Sequence, residues 1–384
     1  MNCQFFKGVS QMKKIKVLYI VSTLKRSGPT NQLSYIIKYL DRTKFEPLIL
    51  TLSPEPKDDS MKSYFTDTLG VRVETLGLSR MKGFFLAKNR IKKFIKDNNI
   101  DLVHSQGIRA DVLMSDINIP RVATLRNYPY YDYPMKFGRL RGTIMAKIHL
   151  KAIKKKPNNY IACAKTIAEY FKRNSLDLRY IQNGVDTEKF FPLDIKQKRE
   201  LRKKLGIDSD RKVFISVGSL IARKNMATVI KGFKKYSYNN NNRNVKLLII
   251  GDGVERKYLE RIANNKVRFL GNISNVVEYL QISDCFISAS FAEGLPNAVL
   301  EAMACGLPTV LSNIPSHLEL YEGEKGNFFE VKSADELAKL LDKVSNDLES
   351  QKYISLKLIR EKFNAKNMSE KYQKVYEEKL NDAI

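Results

Sequence analysis

The sequence predicts an α/β protein of two doubly wound domains, each a mostly parallel sheet covered by helices. Short apolar, strand-like segments alternate with helix-like segments along the chain, which is the pattern of parallel sheets. The 384 residues exceed what one hydrophobic core usually holds. We therefore expect one domain over residues 1–183 and a second over 184–384. We expect residues 1–11 to be a disordered extension or a misassigned start that precedes Met12.

The composition is basic, and the charge is unevenly distributed. Net charge is +26, and residues 1–183 hold 34 Lys and Arg against 14 Asp and Glu, whereas residues 184–384 hold 33 against 27. The first half therefore faces an anionic partner, such as nucleic acid, a phosphate-bearing substrate or an anionic bilayer. No apolar run is long enough to span a membrane. The four cysteines show no metal-ligand spacing, so we interpret them as buried thiols in a reducing cytosol.

Six strands are predicted in the first domain, and the loop after the first of them contains Gly28. A glycine loop between a strand and a helix brings backbone N–H groups against phosphate, although an ordinary turn has the same composition. The helix after this loop is predicted over Gln32–Leu40. The six strands are Lys16–Ser22, Pro47–Leu52, Val71–Thr75, Asp101–His104, Arg121–Leu125 and Tyr160–Cys163.

Two features follow strands of this domain at the edge where α/β proteins bind ligands. His104 ends one strand and either contacts a sugar or serves as a structural hydrogen-bonding group. A tyrosine-rich segment follows the next strand and forms either a sugar platform or a surface loop packed on its own aromatic rings. Its candidate acceptor-binding residues are Arg126, Asn127, Tyr128, Tyr131 and Asp132.

Two segments of the first domain are basic and amphipathic. Residues 80–96 hold seven Lys and Arg, residues 136–156 hold eight, and neither segment contains an acid. Apolar residues are interleaved with the cations, which favours docking on an anionic membrane surface over nucleic acid, because no nucleic-acid-binding module is recognisable. The alternative is two ordinary surface helices with solvated lysines.

The second domain begins with a strand, a glycine turn and cations at a helix start. Gly218 and Ser219 follow the first strand, and Arg223 and Lys224 follow them. This arrangement suits a diphosphate, although a solvated Arg-Lys pair would look the same. The predicted strands are Lys212–Val217, Val245–Ile250, Val267–Leu270, Cys285–Ala289 and Pro308–Leu311.

The stretch between the last two predicted strands contains the strongest candidates for functional residues. Glu293 falls in a turn, a helix begins near Pro296 with Pro in its first turn, and Gly306 ends that helix. The start of such a helix binds anions. Glu301 lies roughly 7 Å further along the helix axis, which is about the distance from a diphosphate to the ribose of one nucleotide. A carboxylate can accept both hydroxyl groups of a ribose, although spacing alone equally allows two solvated carboxylates.

The string Ser290-Phe-Ala-Glu-Gly-Leu-Pro-Asn-Ala-Val-Leu-Glu-Ala-Met-Ala-Cys-Gly-Leu-Pro308 resembles the signature of glycosyltransferase family 4. That resemblance implies the GT-B fold, with two Rossmann-like domains across a cleft and a C-terminal helix that crosses back to the first domain. It implies an acceptor-binding first domain and a nucleotide-sugar-binding second domain. It implies catalytic roles for Glu293, His104 and Lys224. Donor binding would fall to Gly28, Gly218, Ser219, Arg223, Lys224, Gly294, Leu295, Pro296, Asn297 and Glu301.

The resemblance extends to Asn183-Gly-Val-Asp186, which is similar to the element that opens the second domain in the family. Two positions depart from the family pattern. Ser219 stands where Arg is typical, so Arg223 would supply the missing guanidinium, and Asn225 stands where Gly is usual. The family implies front-face attack in which the leaving phosphate takes the acceptor proton, with no metal and no other cofactor.

These features lead to one hypothesis and two rivals. We expect a retaining glycosyltransferase that moves a sugar from a nucleotide diphosphate to a lipid-linked glycan in bacterial surface polysaccharide synthesis, such as capsule or O-antigen. It would act in the cytoplasm, peripherally on the inner face of the cell membrane. The rivals are a nucleotide-sugar epimerase of the same fold and a non-catalytic glycan- or nucleotide-binding subunit, and Ser219 is the one feature that favours the subunit.

Overall fold

The computed structural model describes residues 13–239 and 244–382. The extension predicted at 1–11 lies outside these residues. The chain forms two compact units. The first comprises the described parts of residues 1–125, 129–161 and 369–384, and the second comprises residues 126–128 and 162–368.

The first sheet has seven strands in the order β3-β2-β1-β4-β5-β6-β7, and β1 pairs in parallel with both β2 and β4. The chain therefore reverses its direction of winding between β1 and β4, and such a switch point is where α/β sheets bind ligands. The strands are β1 (Ile15–Val21), β2 (Phe45–Thr51), β3 (Arg72–Thr75), β4 (Leu102–Gln106), β5 (Arg121–Leu125), β6 (Tyr160–Ala162) and β7 (Arg179–Tyr180).

The second sheet has six strands in the order β10-β9-β8-β11-β12-β13, and every neighbouring pair is parallel. Its switch point lies between β8 and β11. The strands are β8 (Lys212–Val217), β9 (Val245–Ile250), β10 (Val267–Gly271), β11 (Cys285–Ser288), β12 (Thr309–Ser312) and β13 (Asn327–Phe329).

Helices cover both sheets. The first five are α1 (Gly28–Lys38), α2 (Arg80–Asp97), α3 (Ile108–Met114), α4 (Pro129–Phe137) and α5 (Arg139–Lys155). The next five are α6 (Lys165–Arg173), α7 (Ile195–Lys204), α8 (Met226–Asn239), α9 (Arg256–Ile262) and α10 (Val276–Ile282). The last five are α11 (Asn297–Ala304), α12 (Pro315–Leu320), α13 (Ala334–Ser345), α14 (Leu348–Glu361) and α15 (Ala365–Asn381).

The final helix returns to the first unit, as predicted. Ser369 Oγ donates to the Ile36 carbonyl oxygen at 2.7 Å, and Gln373 Oε1 accepts from the Asp41 N–H at 3.0 Å. The Tyr376 hydroxyl lies 3.3 Å from that of Tyr19 in the core of the same unit. The predicted α/β fold with a C-terminal crossover helix is therefore confirmed.

Three predicted elements differ from the structure. The tyrosine-rich segment is a helix from Pro129 onward, because Pro in the first turn of a helix costs no hydrogen bond. Pro296 caps α11 from outside, so the helix begins one residue later than predicted. Residues 22–27 form the loop after β1, and α1 begins at Gly28, so this glycine is the first helical residue and the helix starts before the predicted Gln32.

Candidate functional site

Two loops meet at the switch point of the second sheet, and they carry most of the predicted donor-binding residues. One loop follows β8 and contains Gly218, Ser219 and a short turn over Ala222–Lys224. The other follows β11 and runs to the start of α11. Because β8 and β11 are hydrogen-bonded neighbours, their carboxyl ends deliver both loops to one place. The structure therefore brings together side chains that lie about 70 residues apart in sequence.

The centre of this arrangement is the carboxylate of Glu293, whose side chain is only 8% exposed. Arg223 Nη1 donates to Glu293 Oε2 at 3.0 Å, and Lys224 Nζ donates to Oε1 at 2.5 Å. Ser290 Oγ donates to the same Oε1 at 2.7 Å. Arg223 also donates to the Ala292 carbonyl oxygen at 2.5 Å. One buried carboxylate therefore fixes both cations of the opposite loop.

The environment of Glu293 keeps it ionised. Burial acts to raise the pKa of this carboxyl group, but the charges of Lys224 and Arg223 and the hydrogen bonds from Lys224 and Ser290 outweigh it and lower the pKa to about 2. A group with this pKa carries no proton at neutral pH. The cluster of two cations and one anion keeps one net positive charge, which favours phosphate as a ligand.

The loop after β8 is held in place by Asn225, one of the two departures from the family pattern. Asn225 has a φ of 50°, in the left-handed region where Gly and Asn are the least strained residues. Its Nδ2 donates to the carbonyl oxygens of Ala289 and Val331 at 3.1 and 2.9 Å. Asn therefore satisfies the backbone requirement and adds two hydrogen bonds. Ser219, the other departure, is exposed.

The helix α11 presents Glu301 one turn beyond its start. Val299, Leu300 and Met303 are buried in the core. Asn297 and Glu301 lie four residues apart on the opposite, half-buried side. The geometry expected from the sequence, with Glu293 in a loop and Glu301 on the following helix, is the one observed.

Glu301 is a half-buried carboxyl group with no hydrogen-bonding or ion-pairing side chain within the described part of the chain. Burial raises its pKa to about 7, and the charge of Lys189 lowers it only in part. A half-buried carboxylate without a hydrogen-bonding side chain is stabilised by a ligand that donates hydrogen bonds to it. Glu301 therefore differs from Glu293, whose two oxygens already accept three hydrogen bonds from side chains.

The segment Arg126–Tyr128 belongs to the second unit and contacts this site. Arg126 Nη1 donates to Asn183 Oδ1 at 3.1 Å, and Asn183 Nδ2 donates to Asn297 Oδ1 at 3.0 Å. A Cβ atom on Gly294 would lie 2.4 Å from the Arg126 carbonyl oxygen, so only glycine allows this approach. Asn183 was absent from the predicted site because its contacts lie more than 50 residues away in sequence.

Four predicted site residues lie in the first unit. Gly28 is the first residue of α1, after the Ser27 cap. Tyr131 is exposed and Asp132 half-buried on α4. His104 is fully buried, with Nδ1 2.7 Å from the Tyr376 hydroxyl and Nε2 2.7 Å from Thr124 Oγ1. These contacts favour the structural alternative for His104, so we leave it out of the site proposed below.

Within residues 13–239 and 244–382, no three His, Cys, Asp or Glu side chains cluster as metal ligands do. Cys163, Cys285 and Cys305 are buried free thiols, and burial raises the pKa of Cys163 to about 11. No helix in the described ranges combines the length and the apolar character needed to cross a bilayer.

Comparison with protein families gives two matches in succession along the chain. Residues 26–189 match the model described as Glycosyltransferase Family 4, and residues 197–357 match the model described as Glycosyl transferases group 1. Together the two models cover most of the sequence. The chain therefore belongs to the group 1 glycosyltransferases of family 4, and the resemblance that the sequence suggested is confirmed.

Individual relatives cover nearly the whole chain at low identity. The O-antigen biosynthesis glycosyltransferase WclY of Escherichia coli is 25% identical over 94% of this chain and 98% of its own length. The UDP-Gal:alpha-D-GlcNAc-diphosphoundecaprenol alpha-1,3-galactosyltransferase of Escherichia coli is 27% identical over 76% of each chain. The crystal structure of Anabaena Alr3699/HepE in complex with UDP and glucose superposes with a TM-score of 0.77 at 18% identity, over 95% of this chain and 100% of that chain. The structural likeness supports the fold.

Proposed function

We propose that this glycosyltransferase moves a sugar, with retention, from a nucleotide diphosphate to a lipid-linked glycan during synthesis of a bacterial surface polysaccharide. The observation that carries the proposal is the pairing of two carboxyl groups in opposite states. Glu293 is ionised and holds two cations, and Glu301 is half-buried without a partner side chain among the described residues. The names of two relatives, in O-antigen synthesis and in transfer to a diphosphoundecaprenol-linked sugar, agree with this substrate class.

The donor would bind between the loop after β8, which contains Arg223 and Lys224, and the start of α11. Its diphosphate would meet Lys224 and Arg223 together with the N-terminal end of α11, where N–H groups and the helix dipole favour anions. Its ribose hydroxyl groups would donate to the Glu301 carboxylate. The leaving diphosphate gains negative charge as the glycosidic bond breaks, and cations already held in place by Glu293 stabilise that charge without reorganisation.

Glu293 would act through its charge and its position. A carboxyl group with a pKa of about 2 is too weak a base to take a proton from the acceptor hydroxyl at neutral pH. The proton would therefore go to the leaving phosphate, as in the front-face attack implied by the family. We propose that no metal takes part, because Lys224, Arg223 and the helix end supply the positive charge.

The test is transfer of sugar from a panel of nucleotide sugars to an undecaprenyl-diphosphate-linked sugar, in detergent and without added metal. A lipid-linked product with the anomeric configuration of the donor supports the proposal. Conversion of the nucleotide sugar to its epimer without an acceptor would instead support the epimerase. Binding with neither reaction would support the non-catalytic subunit. The group 1 family match does not favour either rival.

We also propose that α5 docks the first unit on the anionic inner face of the cell membrane. Leu140, Ile144 and Ile148 are spaced four residues apart, so they form a row on one side of the helix. Their exposures are 80%, 51% and 48%, which is unusual for residues of this size. Exposed cations flank the row, and residues 136–156 contain no acid. An apolar row between cations complements an anionic bilayer.

The inner side of α5 is fixed, so the exposed row cannot turn inward. His149 is buried, with Nε2 3.1 Å from Asp111 Oδ2 and Nδ1 2.8 Å from the Tyr133 hydroxyl. A Cβ atom on Gly142 would lie 2.3 Å from the backbone of Tyr133, so α5 packs directly on α4.

The other basic segment, α2, differs from α5 because it contributes apolar side chains to the core of the first unit. Its residues Ala87 and Ile91 are fully buried in the core of the first unit, and Phe94 and Ile95 pack against that core. This packing favours the ordinary surface-helix alternative for 80–96. We therefore restrict the membrane proposal to residues 136–156.

Flotation with liposomes tests the docking proposal. Binding to vesicles that contain phosphatidylglycerol, absent with phosphatidylcholine alone and weakened by salt, is the expected result. Replacement of Leu140, Ile144 and Ile148 by Ser should abolish flotation. A matched control replaces three exposed apolar residues of the second unit, Tyr238, Val254 and Tyr353, whose exposures are 87%, 91% and 64%, and should float like the parent protein. No flotation of the parent protein at low salt would overturn the proposal.

A further inference from the structure

Asn183 connects three parts of the second unit beneath the loop that carries Glu293. Its side chain is almost fully buried. Its Nδ2 donates to the Leu295 carbonyl oxygen at 3.3 Å and to Asn297 Oδ1 at 3.0 Å, and its Oδ1 accepts from Arg126 Nη1 at 3.1 Å. One amide group therefore ties the end of the Glu293 loop and the first residue of α11 to a segment from elsewhere in the sequence.

The backbone of Asn183 is itself fixed on both sides. Its N–H donates to the Cys163 carbonyl oxygen at 3.2 Å. The next residue, Gly184, packs so closely on Ala365 that a Cβ atom there would lie 2.6 Å from the Ala365 Cα. Asn183 is therefore a rigid support, and the loop it holds takes its position from that support.

A second contact brings the same two segments together independently of Asn183. Gly294 follows Glu293, and its α-carbon approaches the Arg126 carbonyl oxygen too closely for any other residue. Cys163 lies at the same point, because its Sγ would be 3.6 Å from a Cβ atom on Gly294. The loop between the two carboxyl groups is thus pressed against a buried support at Gly294 and hydrogen-bonded to it at Leu295 and Asn297.

We infer that Asn183 is a positioning residue of the donor site, which sets the first turn of α11 relative to Glu293 and so sets the separation of Glu293 and Glu301. The inference rests on the proposed function, because it gives Asn183 a role in holding the groups that bind the nucleotide sugar. Asn183 acts through Leu295 and Asn297. Misplacing a binding group by about 1 Å is enough to lower turnover strongly.

The test compares Asn183→Ala with Gln182→Ala. The neighbouring Gln182 is a matched control, because its Nε2 also makes a long-range hydrogen bond, to Glu319 Oε1 at 2.7 Å, but touches neither loop of the site. Asn183→Ala loses three side-chain hydrogen bonds and Gln182→Ala loses one, so Asn183→Ala should be the less stable of the two. At a temperature where both are folded, Asn183→Ala should lose at least tenfold in kcat/KM for the donor, with KM raised, and Gln182→Ala should stay within twofold of the parent protein.

Two further variants keep the test decisive. Asn183→Asp preserves size and the contact with Arg126 but faces Leu295 and Asn297 with an acceptor, so it should lose activity even if Asn183→Ala does not fold. Asn297→Ala combined with Asn183→Ala should lose little more than the worse single variant, since both act on one turn. Donor kinetics of Asn183→Ala and Asn183→Asp within twofold of the parent protein would overturn the inference. A parent protein that binds no nucleotide would instead overturn the proposed function, and this role with it.

Discussion

Lys224 Nζ and Glu293 Oε1 lie 2.5 Å apart, and this ion pair joins the loop after β8 to the loop after β11. Arg223 binds the other oxygen of the same carboxylate. The pair holds a cation where we propose that the donor diphosphate binds, so the charge of Glu293 should control both the shape and the electrostatics of the site.

Glu293→Gln should reduce turnover much more than donor binding. Gln keeps the size of the side chain but removes the negative charge that orients Lys224 and Arg223, so the cations separate by repulsion. We expect kcat to fall by about 100-fold, in line with the loss of one preorganised electrostatic group, and the donor KM to change by no more than a few-fold. Steady-state kinetics against donor concentration measure both values, and an unchanged kcat would contradict the role of Glu293.

The same variant should alter the response of stability to acid. The folded pKa of Glu293, about 2, lies below its unfolded value near 4.5, so the group stabilises the fold above pH 4.5 and loses that contribution as pH falls towards 2. The deficit of Glu293→Gln in urea unfolding should therefore be largest above pH 5 and shrink towards pH 3. A deficit that is constant with pH would show that the ion pairs do not set the stability of this loop.

Donor affinity should rise with pH through the neutral range because of Glu301. Its pKa of about 7 leaves it partly protonated at neutral pH, and the carboxylate is the better acceptor for two ribose hydroxyl groups. We expect affinity for a nucleotide sugar, which has no phosphate that titrates in this range, to increase about tenfold from pH 6 to pH 8. Calorimetry measures this, and Glu301→Gln, which binds more weakly, should show no such slope.

Glu301 should also oppose folding at high pH. Its folded pKa is raised above the unfolded value near 4.5, so stability is lost as pH rises from 4.5 to about 7. Glu301→Gln should therefore be more stable than the parent protein at pH 8, by on the order of 1 kcal/mol, and no more stable at pH 4. Equal unfolding midpoints at both pH values would mean that Glu301 is solvated in the free protein.

The sequence predicted strands and the donor motif well because both depend on local patterns. β5, β8 and β9 were predicted to the residue, since each is a short, mainly apolar and mainly buried segment with turn residues beside it. Glu293 and Glu301 were found because they lie eight residues apart, which places one in a turn and the other on the helix that follows it. α4 was missed because its tyrosines and two prolines are typical of loops.

Long-range contacts account for the rest. The partner of His104 is Tyr376, 272 residues later, so no local pattern could separate a core histidine from a catalytic one. Asn183 belongs to a recognisable sequence motif, but its contacts to Arg126 and Asn297 exist only in the folded chain. The cations of α5 were visible in the sequence, and the exposure of the apolar row beside them was not.

The proposed function requires that the second unit binds a nucleotide diphosphate on Lys224, Arg223 and Glu301. The most direct test is the shift in Tm of the purified full chain with a panel of nucleoside diphosphates, with magnesium and with EDTA. Glu301→Ala is the test variant, and Lys235→Ala, which removes an exposed ion pair to Asp335, is the control. We predict a rise of a few degrees with one nucleotide at saturation, independent of magnesium, lost in Glu301→Ala and kept in Lys235→Ala. No shift with any nucleotide, or an undiminished shift in Glu301→Ala, would contradict the claim.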